Sequence, residues 1–276
     1  MMKKRNKSVL LSAPYILFML IFTLIPLGVV AYYALTDVET GAFSLSNIKD
    51  LWQYMPVLGQ SIGYSLVSAF ICLVLGYPVA YFIAHCKPLT QKFLYMLVML
   101  PMCMSFLLRT LAWVGLLQDT GIINSLLGAI GLGPLKLIRT PAAVVLGMVY
   151  NYLPYMILPL YSTIVKIDHR LIEAAEDLGC NGVQVFSKVV LPLSVPGILS
   201  GITMVFVPAV STFYISQKLG GTDTVLIGDV IERMFKQADN PNLGAALSLV
   251  LMILVFVCTG IMNRFAGDNE EGGVVV

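Results

Sequence analysis

The sequence has 276 residues, of which 58% are hydrophobic and 12% are charged, about half the charged fraction of an ordinary soluble domain. With a mean hydropathy of +0.87, this composition excludes a typical soluble globular domain and indicates a polytopic membrane protein. The formal net charge is +2. The total is uninformative, so the positions of the charges along the chain carry the information.

The chain starts with a basic segment, MMKKRNK, which is followed by an uncharged apolar run. This run is longer than the 7–15 residues, approximately, of a signal-peptide core. It therefore predicts an uncleaved first span over Val9–Leu35. Five later stretches also reach the roughly 20 apolar residues that a spanning helix needs. They are Ser61–His85, Phe93–Gln118, Pro141–Val165, Pro196–Gln217 and Leu243–Asn263.

A seventh apolar stretch, Thr120–Leu135, is shorter and carries four glycines followed by Pro134. It predicts an interfacial half-helix and a turn. The expected layout has three parts: 1–60 with the first span and an outer loop, a core of five spans over 61–265 that includes a loop at about 166–195, and a tail over 266–276.

The loops differ in their content of Lys and Arg, which orients a membrane protein. One set of loops, together with both ends of the chain, contains Lys3, Lys4, Arg5, Lys7, Lys87, Lys92, Lys166, Arg170, Lys188 and Arg264. The opposite loops contain Lys49, Lys136, Arg139, Lys218, Arg233 and Lys236. The richer set is predicted to be cytoplasmic, so both termini are expected inside. The outer loops also carry acids: Asp37, Glu39, Asp50, Asp119, Asp223, Asp229, Glu232 and Asp239.

Arg109 is the charged residue within the predicted spans. A charge inside the membrane is costly and marks a candidate functional site. Two interpretations stay open: a structural arginine that snorkels or caps carbonyls, and an ion pair with an acid from an outer loop.

A charged loop of about thirty residues separates the fourth and fifth predicted spans on the cytoplasmic side. Asp168 is a plausible helix N-cap, and Leu171, Ala175 and Leu178 recur at helical spacing to form an apolar face. Gly179 fits the position that ends such a helix. A second short helix is predicted over Val183–Val190, stopped by Pro192 and Pro196. From the residues alone, a docking element and a solvated connecting loop are equally plausible.

The stretch EAAEDLGCNGVQVFSKVVLPLSVPGI resembles the EAA loop of permease subunits of binding-protein-dependent ABC importers. This resemblance implies an all-α polytopic membrane protein with six transmembrane helices of the type I importer permease type. It also implies that the loop docks into the ATPase subunit and transmits its closure. The coupling residues so implied are Glu173, Ala174, Ala175, Asp177, Gly179, Leu191 and Pro192.

Four further segments are similar to the polyamine branch of this family, the spermidine/putrescine importer permeases: FLLRTLAW, QDTGIINSLL, YNYLPYMILPLYS and the region 224–251. The resemblance implies a non-catalytic subunit in the bacterial cytoplasmic membrane. The implied partners are two copies of an ATP-binding subunit, a second homologous permease subunit, an extracytoplasmic substrate-binding protein and membrane lipid. No nucleic acid and no cofactor are expected.

The fourth predicted span is the best candidate for lining a passage, because polar groups in a span face a cavity. Asn151, Tyr155 and Ser162 share one side of this helix, with Tyr150 in an adjacent stripe. Aromatic faces attract cations, and the outer acids Asp119 and Asp229 could add to that attraction. The expected substrate pathway is formed by Asp119, Tyr150, Asn151, Tyr155 and Asp229.

The sequence contains no GxxxxGK[ST] phosphate loop, so ATP hydrolysis by that route is not expected in this chain. Its five cysteines and two histidines have no metal-ligand spacing, and no catalytic or metal site is predicted.

Three rivals to a polyamine permease remain. One is an importer permease for another solute, an anion or an amine. The second is a stand-alone secondary transporter or channel, which usually carries intramembrane carboxylates and paired repeats. The third, a purely structural membrane protein, leaves the charged loop without a purpose.

Overall fold

The computed structural model describes residues 14–15, 17–37, 41–44, 46–222, 224–236 and 240–271. The described part of the chain is helical apart from loops and an isolated bridge between Thr36 and Phe43. Several residues considered above lie outside it: Lys3, Lys4, Arg5, Lys7, the start of the first span at Val9, Glu39, Asp223, Asp239 and the tail from 272 onward.

The helices are, in chain order, α1 Ile25–Ala34, α2 Ser46–Asp50, α3 Met55–Ala84, α4 Pro88–Met99, α5 Phe106–Leu117, α6 Ile122–Ala129, α7 Pro141–Ile164, α8 His169–Asp177, α9 Gly182–Val185, α10 Leu191–Val210, α11 Tyr214–Leu219, α12 Ile227–Lys236 and α13 Pro241–Glu271. Shorter turns of other helical types are Leu20–Leu24 and Phe186–Val190, both π-helical, and Leu51–Tyr54 and Leu100–Cys103, both 3-10.

Six helical stretches of the described chain are long and apolar enough to cross a membrane, which confirms the predicted number. They are Leu17–Ala34, Leu51–Ala84, Phe106–Ala129, Pro141–Ile164, Gly182–Val210 and Pro241–Met262. The all-α polytopic fold is therefore confirmed, and so is the helix followed by a turn that was predicted at Thr120–Leu135.

The prediction of an unbroken third span over Phe93–Gln118 is wrong. The helix changes to a 3-10 turn at Leu100 and is interrupted at Met104, whose backbone is extended. Pro101 explains the change, because proline has no N–H to continue an α-helix. A new helix starts at Phe106. The fifth span also differs, since its helix begins at Gly182 and ends at Val210, before the predicted Gln217.

Two compact units share the chain: Met1–Met55 with Val230–Ile253, and Pro56–Asp229 with Leu254–Val276. In the first unit, buried amides hold the loop after α1. The Nδ2 of Asn47 donates to the carbonyl of Thr36 at 2.9 Å, and the Nδ2 of Asn242 donates to the same oxygen at 2.6 Å. These bonds satisfy the carbonyl of Thr36, which lies after the end of α1 and has no acceptor role within that helix.

The second unit is built around a close pairing of α7 with α10. Gly197 and Gly201, four residues apart, form a small-residue surface that lets the two backbones approach. A β-carbon at Gly197 would lie 3.1 Å from the carbonyl oxygen of Pro159, and one at Gly201 would lie 3.3 Å from that of Met156. The core beside this contact is fully buried and includes Val144, Met148, Met156, Leu160 and Val205.

Candidate functional site

The charged loop folds into a capped helix, α8, directly after the long helix α7. Asp168 caps its N-terminus by accepting a hydrogen bond from the N–H of Arg170 at 3.0 Å, as predicted. At the other end Gly179 has a φ of +84°, a conformation that glycine adopts without strain. Its N–H donates to the carbonyl of Glu176, and that of Cys180 donates to Ala175. This pair of bonds is a Schellman motif.

The two leucines of the apolar face predicted for α8 do not pack on this chain. Leu171 is 48% exposed and Leu178 is 86% exposed. Ala175 and Ile172 are half-buried, and Ile172 lines a cavity of about 280 Å³ together with Ile167 and Val190. Glu173 and Asp177 are exposed beside the two leucines. Large apolar side chains in a polar, exposed helix are typical of a surface that another protein covers.

A second capped helix follows at α9 and begins one residue before the predicted start at Val183, but its cap was not predicted from the sequence. Asn181 and Gln184 form a reciprocal capping box, with N–H to side-chain oxygen distances of 2.9 Å in both directions. The spacing of a capping residue and a glutamine three positions later is the signal that could have found it. Val183, inside this helix, is 77% exposed, so the exposed apolar surface continues beyond α8.

The prediction that Pro192 and Pro196 stop this second helix is wrong. The chain runs from α9 through the π-helical turn Phe186–Val190 into α10 without a break. In a regular α-helix the ring of Pro192 would clash with a carbonyl one turn earlier. The wider π turn directly before it changes that register. Leu191 and Pro192 therefore lie inside a continuous helical span, at the start of its regular part α10, and both are exposed.

The five residues predicted for a substrate pathway have different environments. On α7, Tyr150 and Tyr155 are each 37% exposed, whereas Asn151 is 1% exposed. The Nδ2 of Asn151 donates to the carbonyl of Gly147 at 2.9 Å. Asp229, at the start of α12, accepts from the N–H of Leu226 at 2.8 Å. The predicted stripe of α7 is thus split between the core and the surface.

Asp119, the fifth of these residues, lies in a groove of about 910 Å³. We call this the loop groove; it is formed by the loops on either side of α6 and the end of α11, and its lining includes Asp119, Leu135, Lys136, Arg139, Gln217 and Lys218. One acid and three bases share the groove, so it is a net cationic surface. Sequence reasoning placed Lys136, Arg139 and Lys218 in the same set of loops but did not predict that they meet.

Arg109 lies on α5 and is 7% exposed. Its Nε and Nη1 have no hydrogen-bond partner within the part of the chain that the structure describes. Among the described residues, Lys236 and Glu232 form an ion pair at 2.8 Å, and Arg109 takes no part in it. Among the described residues, the Nε and Nη1 of Arg109 therefore cap no carbonyl, and Arg109 forms no ion pair with an outer acid.

Comparisons with known proteins agree with this architecture. The family model described as "Binding-protein-dependent transport system inner membrane component" matches residues 73–267. The spermidine/putrescine transport system permease protein PotB of Haemophilus influenzae is 39% identical over 77% of this chain and 76% of its own length. PotB of Escherichia coli K12 is 38% identical over 77% of this chain and 79% of its own length.

A solved structure has the same fold. A chain in the crystal structure of a bacterial ABC transporter involved in alginate import superposes with a TM-score of 0.80 at 18% identity, covering 96% of this chain and 98% of that one. The relatives are named as permease proteins, and the chain is a non-catalytic, multi-pass membrane subunit of this kind. By the extent of the family match and of the similarity to its relatives, the chain belongs to the family of inner membrane components of binding-protein-dependent transport systems.

Proposed function

We propose that this chain is one transmembrane subunit of an ATP-driven importer that carries a polyamine such as spermidine or putrescine. The observation that carries the proposal is the capped helix α8, which leaves Leu171 and Leu178 exposed beside Glu173 and Asp177. An amphipathic helix of this kind is suited to a groove of a partner protein. The partner is proposed to be the ATP-binding subunit, present in two copies, with a second permease subunit completing the pathway.

The coupling residues are proposed to be Glu173, Ala174, Ala175, Asp177, Gly179, Leu191 and Pro192. Those on α8 combine a carboxylate at either end with small residues between them, which allows close approach of the partner. Gly179 fixes the direction in which the chain leaves the helix. Leu191 and Pro192 begin α10, so a movement of the docked loop is passed directly to a spanning helix.

The cargo is assigned from the two PotB relatives, which are named as spermidine/putrescine permeases. The physical support is the exposed tyrosine pair Tyr150 and Tyr155 on α7, since aromatic faces attract cations. Asn151 and Asp229 stay proposed pathway residues. Asp119 shares its groove with three bases, so a contact between Asp119 and the cationic cargo is not part of this proposal. The rival cargo is an anion, and Arg109 is the observation that favours it.

The orientation is proposed from the loop charges and has a direct test. Two single cysteines, Glu176→Cys on α8 and Leu132→Cys in the loop after α6, are placed in a chain whose native cysteines are replaced. Both positions are exposed. In intact cells an impermeant thiol reagent is expected to label position 132 and to label position 176 only after permeabilisation. The reverse pattern would place α8 outside and remove the ATPase-docking assignment.

Arg109→Gln separates the two cargo classes. If the cargo is a polycation, the buried arginine serves the fold, and we expect the change to lower membrane abundance while the KM for spermidine stays within about twofold. Uptake of labelled spermidine is measured at matched abundance, with unlabelled putrescine and a polyanion as competitors. Normal abundance with lost uptake of an anion, and no competition by spermidine, would assign the importer to anions.

A further inference from the structure

The loop groove lies at the opposite end of α7 from the docking helix α8. Arg139 is two residues before the start of α7 at Pro141, and Asp168 is four residues after its end at Ile164. A helix of 24 residues is about 36 Å long at roughly 1.5 Å per residue, which is enough to cross the apolar part of a bilayer. The groove and α8 are therefore on opposite sides of the membrane.

The charges in the groove are accessible and do not neutralise one another. Asp119, Lys136, Arg139 and Lys218 are all exposed, and within the described residues no ion pair joins the acid to any of the three bases. Lys218 extends over the ring of Tyr214, with its Nζ 5.7 Å from the ring centroid. Such a surface repels a polycation and attracts carboxylates.

The walls of the groove are held in place by buried hydrogen bonds. Asn124 is 4% exposed, and its side chain bonds the N–H of Leu135 at 2.9 Å, the carbonyl of Leu135 at 3.0 Å and the carbonyl of Gln118 at 3.2 Å. One amide thus ties both loops that flank α6. The loops that flank α6 are therefore held in one conformation, which lowers the entropy that is lost when a partner binds to the bases of the groove.

The second wall is fixed by close backbone contacts. The N–H of Arg139 donates to the carbonyl of Leu219 at 2.9 Å, and a β-carbon at Gly221 would lie 2.7 Å from the carbonyl oxygen of Arg139. Arg139 itself has a φ of +60°, a strained conformation for a residue with a side chain. Strain that the surrounding contacts maintain is typical of a site that positions a residue for function.

We propose that the loop groove is the docking site for an acidic edge of the extracytoplasmic binding protein, with Lys136, Arg139 and Lys218 contacting its carboxylates. This inference rests on the proposed function. A volume of about 910 Å³ accommodates side chains of a protein segment. The apolar wall, where Leu135 is 49% exposed, gives the non-polar contact that a free ion does not need. The groove then serves the carrier protein, and the cationic cargo is repelled from it.

The test measures binding of the importer's purified binding protein, loaded with its own solute, to the complete complex in nanodiscs without ATP. Lys136→Glu/Lys218→Glu reverses two of the charges and is expected to weaken binding about tenfold or more, mainly through a slower association rate that depends on ionic strength. Lys87→Glu/Lys92→Glu is the control with the same net change of charge at exposed positions outside the groove, and it is expected to leave the affinity within about twofold.

Asp119→Asn gives a second, independent outcome. Removing the one acid of the groove is expected to leave binding equal or tighter, whereas weaker binding would mean that the groove recognises a cation and would overturn the proposal. Equal binding by the double charge reversal and the wild type would also overturn it. An effect of the reversal that is lost in nanodiscs without anionic lipid would assign the groove to a lipid headgroup instead.

These results are separable from a failure of the proposed function. The binding step uses whichever solute the binding protein carries, so a wrong cargo assignment does not change the outcome. Retention of the ATP-binding subunit is measured on the same preparations. Its absence would contradict the importer assignment, whatever the groove binds.

Discussion

Gly179→Val is expected to lower transport by about tenfold or more while the chain inserts at normal abundance. The φ of +84° at this position costs a β-branched residue roughly 1–3 kcal/mol. The backbone strain is relieved at the lowest energy if the Schellman motif is lost, and this loss changes the direction of the chain between α8 and α9. The proposed docking surface, with Leu178 directly after α8 and Val183 on α9, is then misaligned. Uptake and retention of the ATP-binding subunit on purification are the two measurements.

Gly179→Asn is the matched control. Asparagine tolerates the left-handed conformation better than other residues with a side chain, and a β-carbon here has no neighbour within 4 Å in the described structure. We expect this variant to keep at least about half of the wild-type uptake, since the backbone cost is below roughly 1 kcal/mol. Equal, wild-type uptake by both variants would mean that α8 belongs to a simple connecting loop.

Gly197→Leu is expected to produce the largest loss of folded protein. A β-carbon at this position would lie 2.6 Å from the Oγ1 of Thr163 and 2.8 Å from its Cβ. The contact joins α10 to α7, the central helix pair of its unit, and neither side chain can move away without separating the helices. Overpacking of this kind costs about 1–3 kcal/mol or more. Abundance in the membrane and thermal stability in detergent are the measurements.

Gly115→Leu is the control for this change. Gly115 lies on the exposed side of α5, and a β-carbon there meets nothing within 4 Å. In a helix both substitutions replace glycine by a better helix former, so intrinsic propensity favours both equally. We expect normal abundance for Gly115→Leu. If the two variants were equally abundant, the close approach of α7 and α10 would be unimportant for folding.

Much of the fold follows from local chemistry and was therefore predictable. The number of spans depends on apolar length, and the caps at Asp168 and Gly179 depend on side-chain and backbone preferences within one turn of helix. These features need no information about the rest of the chain. The same reasoning failed at two prolines. The helix that was expected to continue through Pro101 is interrupted there, and the helix that was expected to stop at Pro192 continues. The local geometry around a proline is decided by the neighbouring turns, which periodicity does not report.

The sites were less predictable, because they depend on distant segments. Lys136 and Lys218 are separated by more than one spanning helix in sequence, yet both line the loop groove. The periodicity of α7 put Asn151 and Tyr155 on one face but did not predict that Asn151 packs into the core and Tyr155 stays at the surface. Burial on a membrane helix depends on which neighbour covers it, and an apolar sequence on all sides does not identify that neighbour.

ATP-dependent uptake of labelled spermidine is the most direct measurement of the central claim. The complete complex of two permease subunits and two ATP-binding subunits is reconstituted in liposomes with its binding protein outside. The account predicts accumulation that requires internal ATP, is competed by putrescine and is lost in the Gly179→Val variant. Uptake without ATP, or accumulation of an anion with no competition by spermidine, would contradict the account.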